Sequence, residues 1–184
     1  MSPPLTTFLA LLCLTAAGTA VESTSPASAA TTETNRCAQF TLQDQFEKTH
    51  QFTFPQAKPV VLTVADKKGS EDVKAWARPL AEKFGDQIII AGLADVSSVP
   101  GPLRGLVRSK FKKAISYPVM LDWDGGSARG FHYAKGRANV YVISRDGRVL
   151  HHLSGKADEA QLAKLTAVIE AQTSSDAQAK ARSN

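Results

Sequence analysis

Sulfur is scarce in this 184-residue chain, which has two cysteines, Cys13 and Cys37. Cys13 lies inside LTTFLALLCLTAAGTA, an apolar run of secretory h-region length that ends in small residues. Cleavage after Ala20, or after Ala29, removes Cys13 and leaves Cys37 alone. One cysteine closes no intramolecular disulfide, although an oxidising compartment leaves a bond to a partner open. Long apolar runs are lacking as well. The first run is too short and too diluted by Thr, Gly and Ala to span a bilayer, so the mature chain is expected to hold no transmembrane segment. The residues ahead of it carry no Lys or Arg. The expectation is an exported protein, periplasmic or secreted.

Other absences narrow the chemistry. His50, His132, His151 and His152 have no zinc or iron spacing, and neighbours on a strand such as His151 and His152 point to opposite faces. GGSARG, at 125–130, lacks both the glycine pattern and the lysine of a phosphate loop. Asp122 and Asp124 in DWDGG read first as turn residues, with cation binding the less favoured use. No metal and no cofactor is therefore expected. The formal charge of +5 is spread over separated Lys and Arg residues, with no aromatic-basic interleaving, so nucleic acid is not an expected partner.

What is present is an ordinary globular composition, 43% hydrophobic and 21% charged. Residues 1–35 contain two charged residues, Glu22 and Glu33, and the last dozen show no apolar periodicity. The expected organisation is a signal peptide at 1–20 (to 29 with the later cut), a flexible linker at 21–35, one domain at 36–172, and a disordered tail at 173–184. Four runs read as strands buried on both faces: PVVLTVA, QIIIAGLA, YPVMLD and NVYVIS. Two helices separate the first three. In 70–84 the stripe is Val73, Trp76, Ala77, Leu80 and Phe84, with Ser70 as N-cap. In 102–114 it is Leu103, Leu106, Val107, Phe111 and Ala114. Asp146-Gly147 marks a hairpin, and Asp158 with Gln161 opens a last helix whose buried stripe is Leu162, Leu165 and Ile169. QFTLQDQFEKTHQFTFP reads as a two-strand ribbon. The fold class is α/β, a mixed central sheet with helices on both faces.

This order, with Pro79 inside the first long helix and a late DGRV hairpin, resembles the thioredoxin superfamily, most closely its redoxin and peroxiredoxin branch. Within residues 95–155, VPG (99–101), VRS (107–109), YP (117–118), ARG (128–130) and DGRV (146–149) are similar to YtfJ-type exported proteins. The resemblance implies a three-layer thioredoxin-like domain. It also implies where redox chemistry would sit: two cysteines separated by two residues, the first of them eight positions before the kink proline. Those positions here are Glu71 and Lys74. The family's cis-proline falls at Ala138. A cysteine at a helix start is activated by the dipole and free N–H groups, whereas acids there are merely kept ionised.

The expected function is therefore a binding or accessory module without a thiol-disulfide site and without catalytic residues. The enzymatic alternative is a single-cysteine oxidoreductase or peroxidase using Cys37. The expected contact surface is the row Arg104, Arg108 and Lys112, spaced i+4 opposite the apolar stripe, which would meet another exported protein or an anionic surface. The sequence leaves the partner, the oligomeric state and the isomer of Tyr117-Pro118 open.

Overall fold

The computed structural model describes residues 35–182, so the expected signal peptide and nearly all of the linker lie outside the described residues. A short antiparallel ribbon comes first, β1 (Phe40–Gln43) against β2 (Thr49–Phe52). The central sheet holds β3 (Val60–Ala65), β4 (Ile89–Asp95), β5 (Met120–Asp122), β6 (Asn139–Ile143) and β7 (Val149–Ser154). Its order is β5-β4-β3-β6-β7, with the first three parallel and β6 and β7 antiparallel. The expected hairpin joins β6 to β7, and the ribbon reaches the sheet through a bridge between Asp44 and Met120.

Alternating residues of β3 supply the two faces of the sheet. Val61, with Val140 and Val142, packs under α1 (Ser70–Phe84) and α4 (Glu159–Arg182) through Trp76, Leu80, Phe84, Leu165 and Ile169. Val60, Leu62 and Val64 face the other way, toward Phe52, Cys37, Tyr133 and the short α3 (Gly126–Gly130). Trp76 is fully buried, and its indole N–H donates to the Gly155 carbonyl at 2.8 Å. Pro79 lies exposed within α1. Tyr117-Pro118 is trans, the single cis bond among the described residues being Phe54-Pro55.

Two expectations are corrected. The helix α2 (Arg104–Ala114), entered by a 3-10 turn at Gly101–Leu103, buries none of its residues. Leu103 and Leu106 are 48% and 55% exposed, and of the apolar stripe only Val107 and Phe111 are half-buried. The cause lies on the helix's basic side. Arg104 and Arg108 both sit over the Trp123 ring, at 5.4 and 5.8 Å, and Arg108 also pairs with Glu47 at 2.7 Å. These contacts turn Arg104 and Arg108 toward the protein and leave Leu103 and Leu106 outside. The second correction is at the end of the chain, where α4 continues to Arg182 through the stretch read as a disordered tail. Residues 177–182, AQAKAR, are strong helix formers, which extend a helix without needing a buried stripe.

Candidate functional site

The carboxyl ends of the three parallel strands share one device. Each apolar run ends in an aspartate: Asp66 directly after β3, Asp95 at the end of β4, and Asp122 at the end of β5. Each carboxylate turns back to accept the N–H groups of the following turn, which would otherwise lack partners. Asp66 accepts from Gly69 N–H at 2.8 Å, Asp95 from Ser97 N–H at 3.0 Å, and Asp122 from Gly125 and Ala128 N–H at 2.9 and 2.7 Å.

At α1 this arrangement replaces the expected Ser70 cap. Gly69 flanks the helix without a side-chain cap, and the Ser70 hydroxyl donates to the Lys67 carbonyl at 2.7 Å instead. Asp66 occupies the role because it can bridge two segments. Its second oxygen accepts Gly136 N–H at 2.7 Å, tying the helix start to the loop before β6. That loop presses on α1 closely enough that a Cβ on Gly69 would lie 2.2 Å from the Arg137 carbonyl oxygen. Asn139 fixes the same loop from within, exchanging hydrogen bonds with Ala134 and donating to the Arg137 carbonyl, all at 2.9 Å. Ala138 is buried at this contact. Glu71 and Lys74 are exposed on the first turns of α1.

The electrostatics are divided among the three acids. Burial alone would raise Asp95, but hydrogen bonds from Ser97 and from the Tyr133 hydroxyl hold its carboxyl below the usual range. Burial, aided by neighbouring Asp124, pushes Asp122 upward against its two N–H donors. Tyr133 is raised by burial and by its bond to Asp95, so its hydroxyl remains a donor. Asp124 is lowered chiefly by Gly126 N–H. These uses of Asp122 and Asp124 match the turn reading. Among the described residues, no group of three His, Cys, Asp or Glu side chains could hold a metal ion.

Cys37 belongs to the other end of the sheet. Its N–H donates to the Gly147 carbonyl at 2.8 Å, in the turn after β6. Ile143, the last residue of β6, pairs with Val60, whereas α1 starts beyond Ala65. The length of β3, about 20 Å at the usual rise per residue, therefore separates the thiol's end from the helix start. Cys37 is 8% exposed, its thiol donates to the Ala38 carbonyl at 3.3 Å, and burial pushes its pKa up to about 12. The row Arg104, Arg108 and Lys112 is split. The first two are engaged with Trp123, Arg104 also donating to its carbonyl at 3.2 Å, and Lys112 is exposed.

Sequence reasoning passed over Asp95, Tyr133 and Asn139. A signal was available for the first of these. VLTVAD, AGLAD and VMLD are three apolar runs closed by the same acid.

No protein-family model and no curated protein matches this sequence. Solved structures do. A protein described as the thiol:disulfide interchange protein DsbE of Chlorobium tepidum aligns with a TM-score of 0.59 at 14% identity, over 76% of this chain and 96% of its own. The exposed lipoprotein thioredoxin Etrx1 of Streptococcus pneumoniae aligns at 0.54 and 17%, over 70% and 97%. Peroxidoxin BcpB of Mycobacterium tuberculosis aligns at 0.51 and 22%, over 73% and 95%. The chain has a thioredoxin-like fold. At these identities the likeness concerns architecture, and function rests on the chain's own residues. In the described residues no helix is long and apolar enough to cross a membrane.

Proposed function

We propose that this is an exported, YtfJ-type thioredoxin-like protein that has lost thiol-disulfide exchange and serves as a binding or accessory module. The observation that carries the reading is the separation of thiol and helix start. Thiol exchange requires a thiolate, and a helix N-terminus favours one. Here that position holds Glu71, with Lys74 three residues on, and the thiol lies at the far end of the sheet. With its pKa at about 12, Cys37 is thiolate in only about one molecule in 10⁵ at pH 7. The same figure weighs against a single-cysteine peroxidase.

The partner would be another exported protein meeting a surface that includes Lys112, since Arg104 and Arg108 are already occupied within the chain. The test of the redox half is direct. The purified protein should show no insulin-disulfide reduction and no peroxide turnover, and Cys37→Ser should change neither. Turnover that disappears in Cys37→Ser would replace this reading with the oxidoreductase one.

A further inference from the structure

Between α3 and β6, beside the strand ends, Arg129, His132, Tyr133 and Lys135 line an open cavity of about 530 Å³. This volume lies within the range of small-molecule sites, and its place near the carboxyl ends of parallel strands is where open α/β folds take ligands. Tyr133 is buried, with its hydroxyl turned inward to Asp95, so the polar groups offered to the cavity are the guanidinium, the imidazole and the ammonium. None of these three residues is in an ion pair among the described residues. Arg129 donates only to the Asp124 carbonyl, at 3.0 Å, which leaves most of its fork available. His132 adopts φ 49°, a left-handed conformation that a non-glycine residue takes at a cost and that recurs at ligand sites.

We propose that this cleft binds the phosphate group of a small phosphomonoester. Two permanent cations and an imidazole N–H suit a dianion with three equivalent oxygens better than a single carboxylate. The space exceeds a phosphate alone and accommodates an organic remainder. The nearby carboxylates do not close the site to an anion. Asp95 and Asp122 are turned to N–H and O–H donors inside the fold, and one Asp124 oxygen to Gly126 N–H. Asp124 and Asp95 also attract Arg129 and Lys135 through space without pairing with them, so an anion would share these cations. The inference is independent of the partner surface at Lys112 and of the fate of the thiol.

The experiment titrates phenyl phosphate into the full chain, with benzoate as a monoanionic control of the same ring, followed by calorimetry and by amide NMR shifts. Saturable binding is expected, with the largest shifts at residues 129–135 and weaker binding of benzoate. Arg129→Gln and Lys135→Gln should each weaken phenyl phosphate about tenfold, the usual loss of a charge-assisted hydrogen bond. Far-UV circular dichroism should be unchanged, and Lys112→Gln should bind as the parent does. No saturation by about 20 mM, a Kd too weak to support a site, would overturn the proposal. Equal affinity for benzoate, or an unaltered Kd in the variant carrying both Arg129→Gln and Lys135→Gln, would overturn it as well.

Discussion

The two ends of the central sheet solve the same packing problem with different chemistry. At the carboxyl end, three aspartates capture turn N–H groups, and hydrogen bonds hold Asp95 low while burial still raises Asp122. At the amino end, the hairpin turn accepts the Cys37 N–H, and burial in the apolar core holds the thiol neutral. The difference separates reactivity from position. The first turn of α1 carries Glu71 and Lys74, whereas the Cys37 thiol is buried and held as a thiol near the hairpin turn.

Moving sulfur to the helix start gives the sharpest test of that contrast. In Glu71→Cys, the new thiol should have a pKa near 7 if the N-terminal field is intact. Against Cys37 at about 12, its thiolate fraction at neutral pH is larger by more than four orders of magnitude. Lower intrinsic nucleophilicity returns part of that gain, leaving alkylation by iodoacetamide faster by about a hundredfold or more. Alkylation no faster than that of an ordinary exposed thiol, with a pKa of about 8.5, would show that α1 has no activating field.

The ends should also fail at opposite extremes of pH. The Cys37 thiol rises from an ordinary 9.0 to about 12 on folding, so the folded state holds its proton more tightly than the unfolded state. Its contribution is complete below pH 9 and is lost as pH rises toward 12, by about 1.4 kcal/mol per unit. Cys37→Ala should flatten that alkaline loss in urea-melt series. Asp95 has the opposite sign. Its folded pKa is depressed, so its contribution is present above the unfolded value and disappears as pH falls through the folded one. Asp95→Asn should therefore flatten the acid limb.

The chain's periodicities disclosed much of this architecture. The bounds of α1, the presence of strands β3 to β6 and the Asp146-Gly147 hairpin follow from apolar spacing and turn chemistry. The setting of α2 does not follow, because periodicity identifies which residues share a face but not what that face meets. Trp123 and Glu47, distant in sequence, draw in Arg108 and leave Leu106 outside. The cap at α1 was obscured for a related reason. Ser70 suits a cap locally, but Asp66 also reaches Gly136, seventy residues away, and only the folded chain brings that donor near.

Glycines at the two ends offer a graded comparison. Gly69→Ala pushes a Cβ into the Arg137 backbone, which cannot rotate aside, and should cost about 3 kcal/mol. At the hairpin, Gly147 has φ 89°, and an added Cβ meets the Phe54 ring at 2.8 Å, a side chain with some freedom to move. Gly147→Ala should cost about 2 kcal/mol, most of it from the backbone conformation. Chemical denaturation of the two variants under one condition gives the order. If Gly147→Ala is the worse, the contact between α1 and the loop before β6 is looser than its geometry implies.

The smallest effect concerns a second positive φ. The amino end meets this demand with Gly147, whereas the loop near the carboxyl end places His132 at φ 49°. A left-handed L-residue costs about 1 kcal/mol that glycine does not, so His132→Gly should stabilise the fold by about that amount. For a domain of this size the rise in Tm is about 2–4 °C. The same substitution removes an imidazole from the cleft and should weaken phenyl phosphate binding. Stability and affinity would then move in opposite directions, which is the pattern of strain retained for a ligand. A Tm gain with affinity unchanged would instead assign His132 to the loop alone and leave Arg129 and Lys135 as the phosphate's contacts.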